Sequence, residues 1–206
     1  MEQYTTLADK ESLLTAIKNL NDNGFTASEV ATHAEALEKI KELIPAHASI
    51  MSGASKTLEQ IGFIDYLKEG THGWNNLKEN ILKETDPTKQ AELRTHSVIS
   101  DFYLGSAHAV SETGEIVIAS ASGSQLPHLV FTSKNIILVV STQKITKTLS
   151  DAMDRLETHV YPLEDARMKS VGYPGSVLSK VLILKKEPAM MGRKFHVIFV
   201  NEHLGF

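Results

Sequence analysis

Apolar residues recur at helical spacing over the first 45 residues, at Leu13, Ile17 and Leu20 and again at Val30, Ala34, Leu37 and Ile44. The spacing predicts two helices, with Gly24 in the turn between them and Pro45 marking the end of the second. Thr26 followed by Glu29 has the S/T-x-x-E form of a capping box, in which hydroxyl and carboxylate each satisfy an orphan amide at a helix start. Residues 1–45 therefore read as an N-terminal helical hairpin packed on a main domain of residues 46–206.

After the hairpin the pattern changes to short apolar segments separated by helical or polar stretches, the mark of an α/β domain. Strands are expected near Ala48–Ser52, Phe102–Leu104, Ile116–Ala119, Ile136–Ser141, Lys180–Lys185 and His196–Asn201. Helices are expected at Thr57–Lys68, Pro87–Ser97 and Thr146–Leu156, the middle one with Asp86 as N-cap and Pro87 at its first position. Ile136 to Val140 is apolar without alternation, which suits a central strand of a parallel sheet buried on both faces, and Val181 to Leu184 reads the same way. Gly70 to Asn76, holding the single Trp74, reads as an irregular excursion.

Composition narrows the function classes. With 206 residues, 42% of them hydrophobic, the chain has the size of one ordinary globular domain. Its net charge of −4 provides no bulk positive field for nucleic acid. The longest aliphatic run, Ile136 to Val140, is far short of the roughly 20 residues of a membrane helix. The start, Met1-Glu2-Gln3-Tyr4, lacks the basic and apolar regions of a secretory signal, so a cytoplasmic location is expected. The absence of cysteine removes disulfides, thiolate nucleophiles and cysteine-ligated iron–sulfur or zinc sites. The nine histidines show no HExxH or similar spacing, so no metal site is read. His96, His108 and His196 lie beside expected strands, where they would form a spatial cluster or serve as separate structural residues. Asp151, Asp154, Arg155 and Glu157 read as the solvated face of a helix.

Three segments carry candidate chemistry. Ser52-Gly53-Ala54-Ser55-Lys56-Thr57 follows an expected strand and opens an expected helix, where open α/β sheets bind ligands, although it holds neither GxGxxG nor a Walker A pattern. The stretch Gly105 to Gln125 holds two hydroxyl-rich segments around one strand. Glu112, Thr113 and Gly114 lie in the first, and Ser122, Gly123, Ser124 and Gln125 form the second. Glu112 in such surroundings suits a base, a nucleophile or an orienting acceptor, while Thr113-Gly114-Glu115 also reads as a plain turn. Gly172-Tyr173-Pro174-Gly175-Ser176 is either a ligand-covering loop or only a turn.

Taken together, Ser100 to Val117, Ser122 to Gln125, Ser52 to Leu58 with Ile61-Gly62, and the closing Gly192 to Phe206 resemble the LUD, or lactate-utilisation, domain family, formerly DUF162. The resemblance implies a Rossmann-like three-layer α/β sandwich of the NagB/RpiA/CoA-transferase group, with a mainly parallel sheet. It also implies a part in the oxidation of lactate to pyruvate beside iron–sulfur partner proteins. Relatives of one branch carry a cysteine cluster before the final strands, whereas Glu164 to Gly175 here has none, which assigns any electron-carrying cluster to a partner. Ser111-Glu112-Thr113-Gly114 is also similar to the Ser-Glu-Asn-Gly segment of class I CoA-transferases, whose glutamate attacks an acyl-CoA. The expectation is thus a small-molecule cleft formed by Ser52 to Thr57, Glu112 to Gly114 and Ser122 to Gln125, with Glu112 as its reactive residue. Acyl transfer through Glu112 and a non-catalytic binding subunit are the alternatives. No cofactor is named by the sequence, and a homodimer is the default state of a self-associating domain.

Overall fold

Strand pairing in the computed structural model, which describes residues 4–206, runs through a sheet whose every ladder is parallel. Its strands are β1 (Thr26–Val30), β2 (Ser49–Ser52), β3 (Asn75–Asn76), β4 (Phe102–Gly105), β7 (Asn135–Ser141) and β10 (Lys194–Val200), in the order β1-β10-β7-β4-β2-β3. A second, four-stranded sheet is formed by β5 (Ala109–Ser111), β6 (Ile116–Ser120), β8 (Ile145–Thr146) and β9 (Lys180–Leu184), in the order β8-β5-β6-β9.

The two faces of the parallel sheet follow from alternation along β7 and β10. Ile137, Val139, Ile198 and Val200 face α2 (His33–Leu43), α3 (Lys56–Gln60) and α4 (Phe63–Glu69), packing against Ile40, Leu58 and Phe63. Ile136, Leu138, Val140, Val197 and Phe199 pack on the other side against Leu13, Ala16 and Leu20 of α1 (Lys10–Asp22) and against Val110, Ile116 and Ile118 of the second sheet. Ala109 and Val117 on that sheet's far face meet Ala152 of α7 (Leu149–Arg155), then Leu156 and Val160 of a π-helical turn that leads into α8 (Tyr161–Ser170). Helices thus flank a mainly parallel sheet, as a Rossmann-like sandwich requires, and the small second sheet supplies part of one flank. The helices α5 (Leu77–Lys83) and α6 (Pro87–His96) connect β3 to β4, and Asp86 caps α6 as expected, accepting from the Thr88 and Lys89 amides.

The helical-hairpin reading of the N-terminal region is corrected. Thr26 to Val30 is an edge strand of the main sheet, paired with His196 to Val200. Thr26 and Glu29 therefore form no capping box. The second helix is capped by Thr32, which accepts from the Glu35 amide while the Glu35 carboxylate accepts from the Ala31 amide. Only Ala27 of this strand is buried, so its polar-rich sequence lacks strand alternation, and pairing with β10 decides its conformation.

Other boundaries also differ. The helix expected over Thr57–Lys68 is divided at Gly62, whose φ of +78° ends one helix and starts the next. Val181 to Leu184 is not a doubly buried strand: β9 is the edge of the second sheet, with Val181 39% and Ile183 38% exposed. Arg155, expected on a solvated face, is fully buried.

Candidate functional site

The chain leaves β2 outward to β3 and then returns to β4 on the other side of β2, so the connections after β2 and β4 diverge. A crevice at the carboxyl ends of strands on either side of such a reversal is where open α/β sheets bind ligands. Here it is a cavity of about 280 Å³. Segments that follow β2, β4, β7 and β10 line it through Gly53 to Thr57, Gly105 to His108, Lys144 and Gly205 with Phe206. The second sheet and α8 close it with Ala119 to Ser122, Ser124, Gln125, Tyr161, Glu164 and Arg167, and Ser176 to Leu178 complete the wall.

Lys144 is the central side chain. The turn Thr142–Lys144 that carries it is tied to the chain's last residues: Thr142 Oγ1 donates to Asn201 Oδ1 at 3.1 Å, and Gln143 Nε2 donates to the Leu204 carbonyl at 3.2 Å. These ties turn Lys144 inward, where it is 4% exposed. Its Nζ donates to Thr57 Oγ1 at 3.0 Å, Ser106 Oγ at 3.2 Å and the Ala107 carbonyl at 3.3 Å. All three acceptors are neutral, and among the described residues no carboxylate forms an ion pair with this amine. Burial, reinforced by the nearby Arg155 cation, brings its pKa down to about 7. Gly205 is needed beside it, because a Cβ there would lie 2.4 Å from Thr57 Oγ1 and 2.7 Å from Lys144 Nζ.

His108 and Arg155 form the surroundings of that amine. The His108 Nδ1 accepts the Ala119 amide at 3.1 Å, so the ring is neutral with its proton on Nε2. Burial, then the Lys144 and Arg155 charges, lower its pKa to about 3. Arg155 donates from Nη1 to the His108 carbonyl at 2.5 Å and from Nη2 to the Tyr4 carbonyl at 3.4 Å, and burial lowers its pKa to about 10. Among the described residues, these two neighbouring buried cationic side chains meet neutral acceptors only. At the rim, by contrast, the charges are paired: Arg167 is bidentate to Glu164 at 2.6 and 2.7 Å, and Lys56 meets Glu59 at 3.1 Å.

The opposite wall is held by Tyr103. Its hydroxyl donates to Gln125 Oε1 at 3.0 Å, and Gln125 Nε2 donates to the Ala119 carbonyl at 2.8 Å. The phenol passes so close to Gly53 that a Cβ there would meet its oxygen at 2.6 Å. Burial pushes the Tyr103 pKa up, so the phenol remains a neutral donor.

The structure brings together Gly53, Ala54, Ser55, Lys56, Thr57, Ser122, Ser124 and Gln125 of the residues selected from the sequence. Ser52 is buried beneath the cavity wall, and Gly123 shapes the turn beside Lys180 without lining the cavity. Of the Gly172 to Ser176 loop only Ser176 reaches the wall, held by its amide on Asp165 Oδ1 at 2.8 Å.

Glu112, Thr113 and Gly114 do not line the cavity. They form the turn between β5 and β6, facing α1. The Glu112 carboxylate accepts from Ser12 Oγ and from Lys147 Nζ, the latter at 2.7 Å, and the Glu112 carbonyl accepts from Asn19 Nδ2 at 2.6 Å. Gly114, at φ +95°, makes the turn, and a Cβ there would lie 2.5 Å from Asn23 Nδ2. This arrangement fastens α1 to the second sheet, and the reading of Thr113-Gly114-Glu115 as a turn accounts for it. The histidines do not cluster: His96 ends α6, His196 pairs with Ile137 in the amino-terminal half of β10, and only His108 lines the cavity.

Lys144 was not singled out in the sequence, His108 was weighed only as part of a histidine cluster, and Arg155 was read as a solvated helix residue. One signal pointed to Lys144: it lies three residues beyond Ser141, at the carboxyl end of the most apolar strand.

Fold and site together define an α/β domain with a cleft at the carboxyl edge of a parallel sheet. The model of the LUD domain matches residues 13–200, and the chain belongs to that family. Its fold is similar to that of a DUF162 family protein from Deinococcus radiodurans, known from a crystal structure, with a TM-score of 0.57 at 16% identity over 96% of this chain and 100% of that one. No curated protein matches the sequence.

Proposed function

We propose that this chain binds a small 2-hydroxy or 2-oxo carboxylate in the cleft at Lys144 and serves the utilisation of lactate or a related acid. The observation that carries the reading is the buried Lys144 amine, which has hydroxyl and carbonyl partners and, among the described residues, no anion. A desolvated cation without a counter-ion is costly, and an incoming carboxylate offsets that cost while making a charge-assisted hydrogen bond. The hydroxyls of Thr57 and Ser106 stand beside the amine, where they can meet the oxygen on C2 of such an acid. Oxidation of a 2-hydroxy acid also releases electrons. The cysteine-free chain supplies no thiolate cluster ligand, so the reading gives their transfer to iron–sulfur partner proteins.

Calorimetric titration with lactate and pyruvate tests the proposal. Both acids should bind, and Lys144→Met should weaken them by about 1.5–3 kcal/mol, roughly ten- to hundredfold, the value of a hydrogen bond to a charged group. Equal affinity in wild type and Lys144→Met would remove the cleft amine from the function.

A further inference from the structure

We propose that Lys144 is also a nucleophile, and that its amine captures a 2-oxo acid as a covalent imine in the cleft. The inference rests on the binding reading above and adds an activity to it.

The geometry supplies what imine formation needs. The amine is held at the wall of a cavity with room for a small acid, rather than spread over the surface on a mobile stem. Two of its three partners, Thr57 Oγ1 and Ser106 Oγ, are hydroxyls. A hydroxyl accepts from an ammonium and, after rotating, donates to a neutral amine, so both protonation states of Lys144 are satisfied in place. No carboxylate among the described residues holds the amine in its charged form. The groups packed around it are Thr57 from α3, Ser106 to His108 after β4, Arg155 from α7 and the Gly205 backbone. Of these, Arg155 is cationic and His108 neutral, and both a neighbouring cation and burial favour the free amine.

The step balances without a further reagent. The ammonium form first attracts the carboxylate of the acid. A proton then passes from the nitrogen to the C2 carbonyl oxygen, with the Thr57 and Ser106 hydroxyls placed to carry it. The nitrogen lone pair forms the N–C2 bond and gives a carbinolamine. A second nitrogen proton follows to the same oxygen, which leaves as water while the nitrogen lone pair closes the C=N bond. Ammonium plus 2-oxo acid becomes iminium plus water, and no electrons are exchanged. The iminium charge stays adjacent to the acid's own carboxylate, so the pairing that drew the anion in is kept. A 2-hydroxy acid has no carbonyl at C2 and binds without this bond.

The test is incubation of the full chain with pyruvate and sodium borohydride, followed by peptide mass spectrometry. Reduction should leave a stable secondary amine confined to Lys144. The label should saturate with pyruvate, fall when lactate competes, and be lost in Lys144→Met and Lys144→Arg. An unlabelled Lys144, or label shared among exposed lysines such as Lys147 and Lys180, overturns the proposal. Calorimetry separates the two readings: an unlabelled Lys144 in a chain that binds lactate removes the imine alone, whereas a chain that binds neither acid removes both.

Discussion

Two hydroxyl-rich segments of this chain look alike in sequence and differ in charge balance. In the turn from Ser111 to Glu115, the Glu112 carboxylate is met by a hydroxyl and by Lys147, and its backbone is held by Asn19. At the cleft, Lys144 has two hydroxyls and a carbonyl, and Arg155 has two backbone carbonyls. The first segment is a finished clasp between α1 and the second sheet. The second leaves positive charge buried and uncompensated among the described residues. Small residues and hydroxyls around a charged group therefore do not identify a site. Whether that charge already has its partner does.

The contrast is sharpest in binding. Lys144→Met should reduce lactate or pyruvate affinity by the ten- to hundredfold given above, whereas Glu112→Gln should leave it unchanged in the same titration. A loss in Glu112→Gln with folding intact would return the turn to candidacy.

The next effect is on stability against pH. Burial brings the Lys144 pKa to about 7 in the folded chain, against the ordinary lysine value of 10.5 when unfolded. Between those values the unfolded chain holds more protons, so this group's contribution to stability rises with pH across the window and is most unfavourable below about 7. Lys144→Met should therefore be stabilised relative to wild type at neutral and lower pH, with the advantage shrinking as pH approaches 10.5, as denaturant titrations at several pH values will show. His108 contributes with the same slope between its folded value of about 3 and its ordinary 6.5.

Removing the neighbouring cation is a finer probe. Arg155→Met should raise the Lys144 pKa, because one of the two causes of its depression is gone. NMR titration of the lysine ε-methylene signals reads this directly, and an unchanged value would show that burial alone sets it.

The smallest effects belong to the clasp. Glu112→Ala removes a partly buried acceptor, its side chain 15% exposed, and should cost about 1–2 kcal/mol in denaturant unfolding. Lys147→Ala removes an amine on a side chain that is 71% exposed, where solvent screens the pair, and should cost less than Glu112→Ala. A larger loss in Lys147→Ala than in Glu112→Ala would invert this account of the turn.

Much of the scaffold is legible in the chain. The continuous apolar run Ile136 to Val140 could satisfy itself only between two covered faces, and it is the middle of the parallel sheet. Asp86-Pro87 announces α6 because an N-cap carboxylate and a proline at the first turn are local requirements of a helix start. Ser52 to Thr57 was recognisable because a strand-to-helix turn of small residues is where such sheets admit ligands. Residues 26–30 were misread because an edge strand with one buried side chain has no period of its own to declare.

What the sequence determined by itself was therefore what depends on neighbours a few residues away: the longest apolar run, the Asp86 cap, the Thr113-Gly114 turn and the sheet class. What only the tertiary structure decided was which charges meet. Lys144 stands 87 residues from Thr57, and Glu112 stands 100 residues from Ser12. Electrostatic compensation is a property of distances in space, and the burial that makes an unpaired amine reactive arises only when segments remote in the chain close around it.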